Sequence, residues 1–248
     1  MASKQKIFQV EGLVLSKFER SERDMVFSLL TRERGRILVL AKYAKKVPSR
    51  HNAGLELFNV VRCQLYEGRY LPVVTQVQQV ESFDGILASV ERIEYAYKLC
   101  LLVDTLLQRE QGGEESYSLS TDCLRGIARS DASQARSLIV ATGIRLLSLI
   151  GTLHWSEECQ QCDSTLMDKV YCLEGKLLCA PCGTRNRADG LGRDVYAIIR
   201  STLLGTGPET LETEPALDAL GFVQRQVTSL SYPSYLEKAS FNLSTSPV

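Results

Sequence analysis

The sequence predicts an α+β protein in which a strand-rich part is followed by a mainly helical part. Near Ser82 the apolar residues change from short β-like runs to helical spacing. The charge changes at the same place: of 29 Lys+Arg and 29 Asp+Glu residues, 14 and 7 lie within 1–80, which leaves 15 and 22 in 81–248. These shifts predict two domains, residues 1–80 and 81–248, and cysteine pairs predict an insert at about 156–186 in the second.

Short runs of Val, Leu, Ile and aromatic residues, separated by turns, fill the first 80 residues. They predict five strands, at 7–18, 24–31, 36–43, 55–66 and 70–80. Five such strands can remove their exposed edges by closing into a barrel, and a five-stranded Greek-key barrel is the OB-fold. A small open sheet is the alternative.

The region after Ser82 has a helical period. Apolar residues from Ile86 to Leu107 predict one long amphipathic helix, and Gly112 and Gly113 provide its stop. Further helices are predicted at 119–129, 134–149, 191–204 and 215–230. The polar, Ser-rich stretch from Ser240 to Val248 is expected to fray.

The strongest chemical signal is a cysteine quartet. Cys159 and Cys162 form one Cys-x-x-Cys pair, and Cys179 and Cys182 form a second one sixteen residues later. This spacing is typical of a zinc ribbon that holds one structural Zn²⁺, because four thiolates fill a tetrahedral shell and leave no position for a reactive water. Redox use of the pairs is the alternative, but the βαβ context of such enzymes is missing.

Basic residues concentrate at the turns and strand ends of the first domain. They are Lys17, Arg20, Arg23, Arg32, Arg34, Arg36, Lys42, Lys45, Lys46 and Arg50. Tyr43 stands beside Lys42, so an aromatic ring for base stacking lies next to a partner for phosphate. On an OB-like barrel this set predicts nucleic-acid binding with little sequence preference.

The order of these features resembles the RecO recombination mediator family of bacterial DNA repair. The matching stretches are Glu-Gly-Leu-Val-Leu at 11–15, Glu-Arg-Asp-Met-Val-Phe-Ser-Leu-Leu-Thr at 22–31, Gly-Arg-Ile-Leu-Val-Leu-Ala-Lys at 35–42, Leu-Tyr-Glu-Gly-Arg-Tyr-Leu-Pro at 65–72 and Glu-Ser-Phe at 81–83. The cysteine ribbon follows where many members carry theirs. The chain departs from the family at Tyr43 and Asp163, where glycine is usual or frequent.

The resemblance implies an OB-fold and a helical domain that carries zinc. It further implies binding of single- and double-stranded DNA and annealing of complementary strands. The implied partners are RecR, single-strand-binding protein, whose acidic tail docks on the helical domain, and indirectly the RecA recombinase. No bond making or breaking is implied.

Other classes of function lack their motifs. The sequence has no Walker A pattern and no Gly-x-Gly-x-x-Gly, and no carboxylate or nucleophile motif accompanies His51 or His154. We therefore expect no enzyme. The start of the chain lacks a signal-peptide pattern and no apolar run reaches membrane-spanning length, which predicts a cytoplasmic protein. The resemblance implies that it is bacterial and nucleoid-associated. An RNA-binding or ribosome-associated zinc protein, and a protein-binding scaffold, are the alternatives.

Overall fold

The amino-terminal part is a closed five-stranded barrel in the computed structural model, which describes residues 7–44, 54–167, 169–206 and 210–229. Its strands are β1 (Ile7–Glu19), β2 (Met25–Thr31), β3 (Gly35–Ala41), β4 (Val60–Tyr66) and β5 (Val73–Glu81). The order around the barrel is β1-β2-β3-β5-β4, and β4 returns to β1. All pairs are antiparallel except β3 with β5, which meet in parallel at Leu40 and Val73. The predicted fold class is confirmed.

The fourth strand is shorter than the sequence predicts. It was expected from residue 55, but β4 begins at Val60 because the preceding residues form turns. Gly54 and Phe58 both have positive φ angles, 109° and 72°, which an extended strand does not allow. The backbone N–H of Phe58 instead donates to the carbonyl of Val14 at 3.2 Å.

Helices cover the outward face of β1, β2 and β3. The chain passes through a 3-10 turn (Asp84–Ala88) and then forms α1 (Val90–Leu106) and α2 (Glu114–Ile127). The single long helix predicted from Ile86 is therefore wrong at its start, because Ser89 is extended, with φ −149° and ψ 140°. Every residue of β3 except Leu40 is buried, since one face lines the barrel and the other packs under helices.

A buried polar cluster attaches α1 to the barrel. The Asp104 carboxylate accepts hydrogen bonds from Ser16 Oγ at 2.9 Å, Ser28 Oγ at 2.5 Å and Arg36 Nε at 2.6 Å. The Asp104 and Arg36 side chains are 4 % and 8 % exposed. An ion pair so fully removed from water requires both partners, because either one alone would be a buried charge.

The chain divides into two compact units, 1–129 and 130–248. The sequence placed the boundary at residue 80, but α1 and α2 pack on the barrel and belong with it. A second polar link supports this grouping, since the Arg125 guanidinium on α2 donates to both carboxylate oxygens of Glu81 at 2.8 and 2.7 Å.

The second unit combines helices with a small sheet. Its helices are α3 (Ala132–Leu149), α4 (Ala180–Arg185), α5 (Arg193–Leu204) and α6 (Thr213–Ser229). Its strands β6 (Val170–Leu173), β7 (Lys176–Cys179) and β8 (Asp189–Leu191) lie in the order β7-β6-β8. A capping box starts α3, in which Asp131 accepts from the Gln134 N–H at 2.9 Å. The short α4 and β8 were not predicted.

Candidate metal centre and nucleic-acid interface

The four predicted cysteines come together in the second unit. The Sγ atoms of Cys159, Cys162, Cys179 and Cys182 all lie within 4.8 Å of one another, and those of Cys162 and Cys179 are 3.6 Å apart. A tetrahedral zinc with Zn–S bonds of about 2.3 Å places its sulfurs about 3.8 Å apart. The quartet therefore fits one four-coordinate ion, so these residues could hold a metal.

The hairpin between the two pairs depends on a glycine. The β6–β7 turn uses Glu174 and Gly175 at φ 48° and 78°. A Cβ on Gly175 would lie 1.6 Å from the carbonyl oxygen of Thr152, so no other residue fits there. The turn places Cys179, at the end of β7, beside the first cysteine pair.

The loop of the first pair is held by its own backbone. Cys159 N–H donates to the Ser164 carbonyl at 2.7 Å, and Asp163 N–H donates to the Cys159 carbonyl at 2.8 Å. Asp163 adopts φ 58°, the left-handed conformation in which glycine carries no steric cost. The departure from the family pattern at this position therefore leaves the turn in place at the expense of local strain.

The thiols of the quartet differ in acidity. A hydrogen bond from Ser164, with a further one from the Cys182 backbone, lowers the pKa of Cys179 to about 6, whereas desolvation raises the pKa of Cys182 to about 12. A second thiolate beside the first would be repelled, so a cation at the centre is what allows all four to ionise.

The remaining cysteines do not join the quartet. Burial raises the pKa of Cys63 to about 12, and burial also raises that of Cys100 and Cys172. These thiols stay protonated and act as small apolar side chains, as does the buried Cys123.

Several predicted nucleic-acid contacts gather at one end of the barrel. We define the hairpin end as Lys17, Arg20, Arg23, Lys42 and Tyr43, which lie where β1 turns into β2 and where β3 ends. All five side chains are exposed. Lys17 Nζ pairs with the exposed Glu56 at 2.6 Å.

Tyr43 forms a left-handed bend at the position where glycine is usual in the family. Its φ of 59° is left-handed, and its N–H donates to Asp24 Oδ1 at 3.0 Å. That bond joins the end of β3 to the β1–β2 turn and leaves the Tyr43 ring 61 % exposed. The chain thus has an exposed aromatic ring beside cations, as base stacking requires.

Arg32 and Arg34 lie at the opposite end of the barrel, in the β2–β3 turn. Arg32 Nε is 3.0 Å from Glu114, and its guanidinium lies 5.2 Å from the ring centre of Tyr117. Arg34 lies 4.0 Å above the ring of Phe8. The predicted set therefore divides between two ends rather than forming one patch.

Arg36 is not available to a phosphate. It is buried under α1 and paired with Asp104, so the sequence prediction for this residue is corrected. Strand alternation points the Arg36 side chain outward from the barrel. In an isolated barrel this outward face would meet solvent, but here a helix covers it. Lys45, Lys46 and Arg50 lie outside the described residues.

Sequence reasoning missed three exposed candidates. Arg69 and Tyr70 lie in the β4–β5 connection, with the guanidinium 5.2 Å from the ring centre, and Tyr70 is 67 % exposed. The adjacency of a cation and an aromatic residue could have identified them. Arg109 carries no such signal: it reaches the barrel because Glu110 N–H donates to the Arg36 carbonyl at 2.7 Å, a contact between distant segments.

Within the described ranges, none of the helices is both long and apolar enough to cross a lipid bilayer.

This chain is similar to known proteins of one family. The family model described as "Recombination protein O N terminal" matches residues 4–83. A "DNA repair protein RecO" from Symbiobacterium thermophilum is 32 % identical over 181 residues, 71 % of each chain. Another, from Acetivibrio thermocellus, is 26 % identical over 225 residues, 88 % of this chain and 89 % of the relative.

Proposed function

Because the chain belongs to the RecO family of DNA repair proteins, we propose that it is a recombination mediator that binds single- and double-stranded DNA without sequence specificity. The observation that carries the proposal is the hairpin end, where exposed cations surround an exposed tyrosine. Cations bind phosphates of any sequence, and an aromatic ring stacks on any base.

The proposed activity is annealing of complementary strands, including strands covered by single-strand-binding protein. With RecR, the protein would help RecA replace that single-strand-binding protein, whose acidic tail would dock on the helical part. None of these steps makes or breaks a covalent bond, so we propose no catalytic residue. The site of action is the bacterial cytoplasm, at the nucleoid.

An annealing assay with single-strand-binding protein present tests this proposal. The wild-type chain should accelerate pairing of two complementary oligonucleotides, and Arg20→Glu, Arg23→Glu and Lys42→Glu together should abolish the acceleration. Reversing Arg185, Arg187 and Arg193, exposed arginines of the second unit, is the control for altered net charge. Failure of the wild-type chain to accelerate pairing would reject the mediator proposal.

Direct binding separates this proposal from RNA binding. Each phosphate contact contributes roughly −0.7 to −0.9 to the slope of log affinity against log salt, so losing three contacts should reduce the slope by about two to three. DNA should compete better than RNA of the same sequence. A preference for RNA would favour the ribosome-associated alternative.

We propose that the metal is one structural Zn²⁺, held by Cys159, Cys162, Cys179 and Cys182. Four thiolates favour zinc among abundant divalent ions, and a closed shell gives stability rather than catalysis. Metal analysis of the purified chain should find one zinc per chain, and Cys159→Ser should remove it. Cys172→Ser, outside the quartet, is the matched control and should retain it.

A further inference from the structure

A cavity opens at the end of the barrel opposite the hairpin end. Its volume is about 390 Å³, and its walls include Phe8, Arg34, Ile37, Pro72 and Arg109. They come from the start of β1, the β2–β3 turn and β3, the β4–β5 connection and the α1–α2 loop. We call these five residues the arginine pocket.

Two guanidinium groups of the arginine pocket are free to bind a ligand. Neither Arg34 nor Arg109 forms an ion pair with a carboxylate of the described residues. The Arg34 guanidinium carbon lies 4.0 Å from the centre of the Phe8 ring, and a planar guanidinium can also bind a second planar group or a phosphate.

The remaining polar groups favour a nucleotide over a simple polyanion. Glu33 and Glu110 also line the cavity, so it has no excess of positive charge. A free phosphate would be repelled by these carboxylates, whereas a base can donate its amino group to them while its phosphate reaches a guanidinium. The cavity therefore fits a base together with its phosphate.

An aromatic residue is available beside the cavity to stack on a neighbouring base. Tyr70 is two residues from Pro72 of the cavity wall. Its ring is exposed, and the Arg69 guanidinium lies 5.2 Å from the ring centre. Stacking needs an unpaired base, because a duplex hides the face of each base. The ligand class is thus single-stranded DNA.

The two arginines of the arginine pocket lie far from the hairpin end along β3. The seven residues of β3 separate Arg34 from Lys42, which at about 3.3 Å per residue corresponds to roughly 20 Å. The Pro72 wall is closer to the hairpin end, because Leu40 N–H, two residues before Lys42, donates to the Pro72 carbonyl at 2.8 Å. The distance along β3 leaves room for two short strands, one at Arg34 and one at the hairpin-end cations.

We propose that the arginine pocket is a second site for single-stranded DNA, so that one chain holds one strand there and another at the hairpin end. This inference rests on the proposed function. It explains how a single chain could accelerate annealing: both strands are bound to one barrel, which raises their effective concentration toward each other.

The test uses the full-length chain and a short oligo-dC of four nucleotides, at protein concentrations where sedimentation shows a monomer. The wild type should bind two oligonucleotides per chain. Arg34→Ala with Tyr70→Ala should leave one, and Arg23→Ala with Lys42→Ala should also leave one. Two oligonucleotides carrying a fluorescence donor and an acceptor should show energy transfer with the wild type and lose it with either variant.

An abasic oligonucleotide of the same length distinguishes stacking from charge alone. Its affinity for the arginine pocket, measured in the Arg23→Ala and Lys42→Ala variant, should be roughly tenfold lower than that of oligo-dC. Equal affinity, or a stoichiometry of one in the wild type, would overturn the second site. Absence of any binding would instead reject the proposed function.

Discussion

The buried Asp104 gives the sharpest prediction about stability. Asp104→Asn keeps the shape of the side chain but removes its charge, and Arg36 is then a guanidinium with 8 % exposure and no counter-charge. Breaking one partner of a buried pair costs about 3–5 kcal/mol, a large part of the roughly 5–15 kcal/mol that stabilises a domain. With a urea dependence of about 2 kcal/mol per M, the midpoint should fall by roughly 2 M.

Urea unfolding followed by two probes measures this effect. Trp155 is the only tryptophan and lies in the second unit, so its fluorescence follows that unit, while circular dichroism follows both. Only the transition of the first unit should move. Glu56→Gln, which breaks the exposed pair with Lys17, is the matched control and should change stability by less than about 1 kcal/mol.

A double variant tests whether the cost comes from the unpaired charge. Arg36→Met combined with Asp104→Leu removes both charges and should recover part of the lost stability, because an apolar pair can replace a buried ion pair. The recovery is incomplete because the Ser16 and Ser28 hydroxyls lose their acceptor. If Asp104→Asn costs less than about 1 kcal/mol, or the double variant is as unstable as the sum of the single ones, the reasoning is wrong.

Three further predictions concern local features. Chelation of the metal, or Cys159→Ser, should unfold the ribbon, because structural zinc contributes on the order of 10 kcal/mol; unchanged protease resistance of the zinc-free chain would contradict this. Tyr43→Gly should raise the melting temperature slightly, since relief of left-handed strain of about 1–2 kcal/mol exceeds the chain-entropy cost of glycine of about 0.5–1 kcal/mol; the same variant should weaken binding to single strands more than to duplex. Hydrogen bonds from Arg125 lower the pKa of Glu81, so this pair stabilises the fold above the unfolded pKa of about 4.5 and the benefit is lost as pH falls through the lowered pKa. Arg125→Gln should therefore be less stable than the wild type at pH 7 and equal to it at low pH, as measured by urea unfolding at a series of pH values.

The sequence predicted the barrel well because strand patterns are local. All five strands begin or end within two residues of a predicted limit, three of them at both ends, and the cysteine quartet was identified from spacing alone. The break at Ser89 was missed because the apolar period continues through Leu87 and Val90, both of which are 71 % exposed. An apolar period shows which residues are apolar, but it does not show which of their side chains are buried by packing.

The errors in the candidate site have a different cause. A basic residue on the outward face of a strand is expected to meet water, and Arg36 does not because a residue 68 positions later, Asp104, covers it. Arg109 was wrongly left out, whereas Arg36 was wrongly included. Both errors come from contacts between distant segments, which sequence spacing does not reveal. Pairs so far apart in the chain are decided by how elements pack, which a local pattern does not contain.

The helices over β1, β2 and β3 also affect how the protein is made. The barrel strands leave the ribosome first, but their outward face, with Ser16, Ser28 and Arg36, has no partner until Asp104 has been synthesised. During that interval the nascent barrel exposes apolar surface and an unmatched charge, a state prone to wrong association. A chain that ends at residue 80 would remain in it permanently, so the smallest fragment expected to fold by itself ends near residue 129.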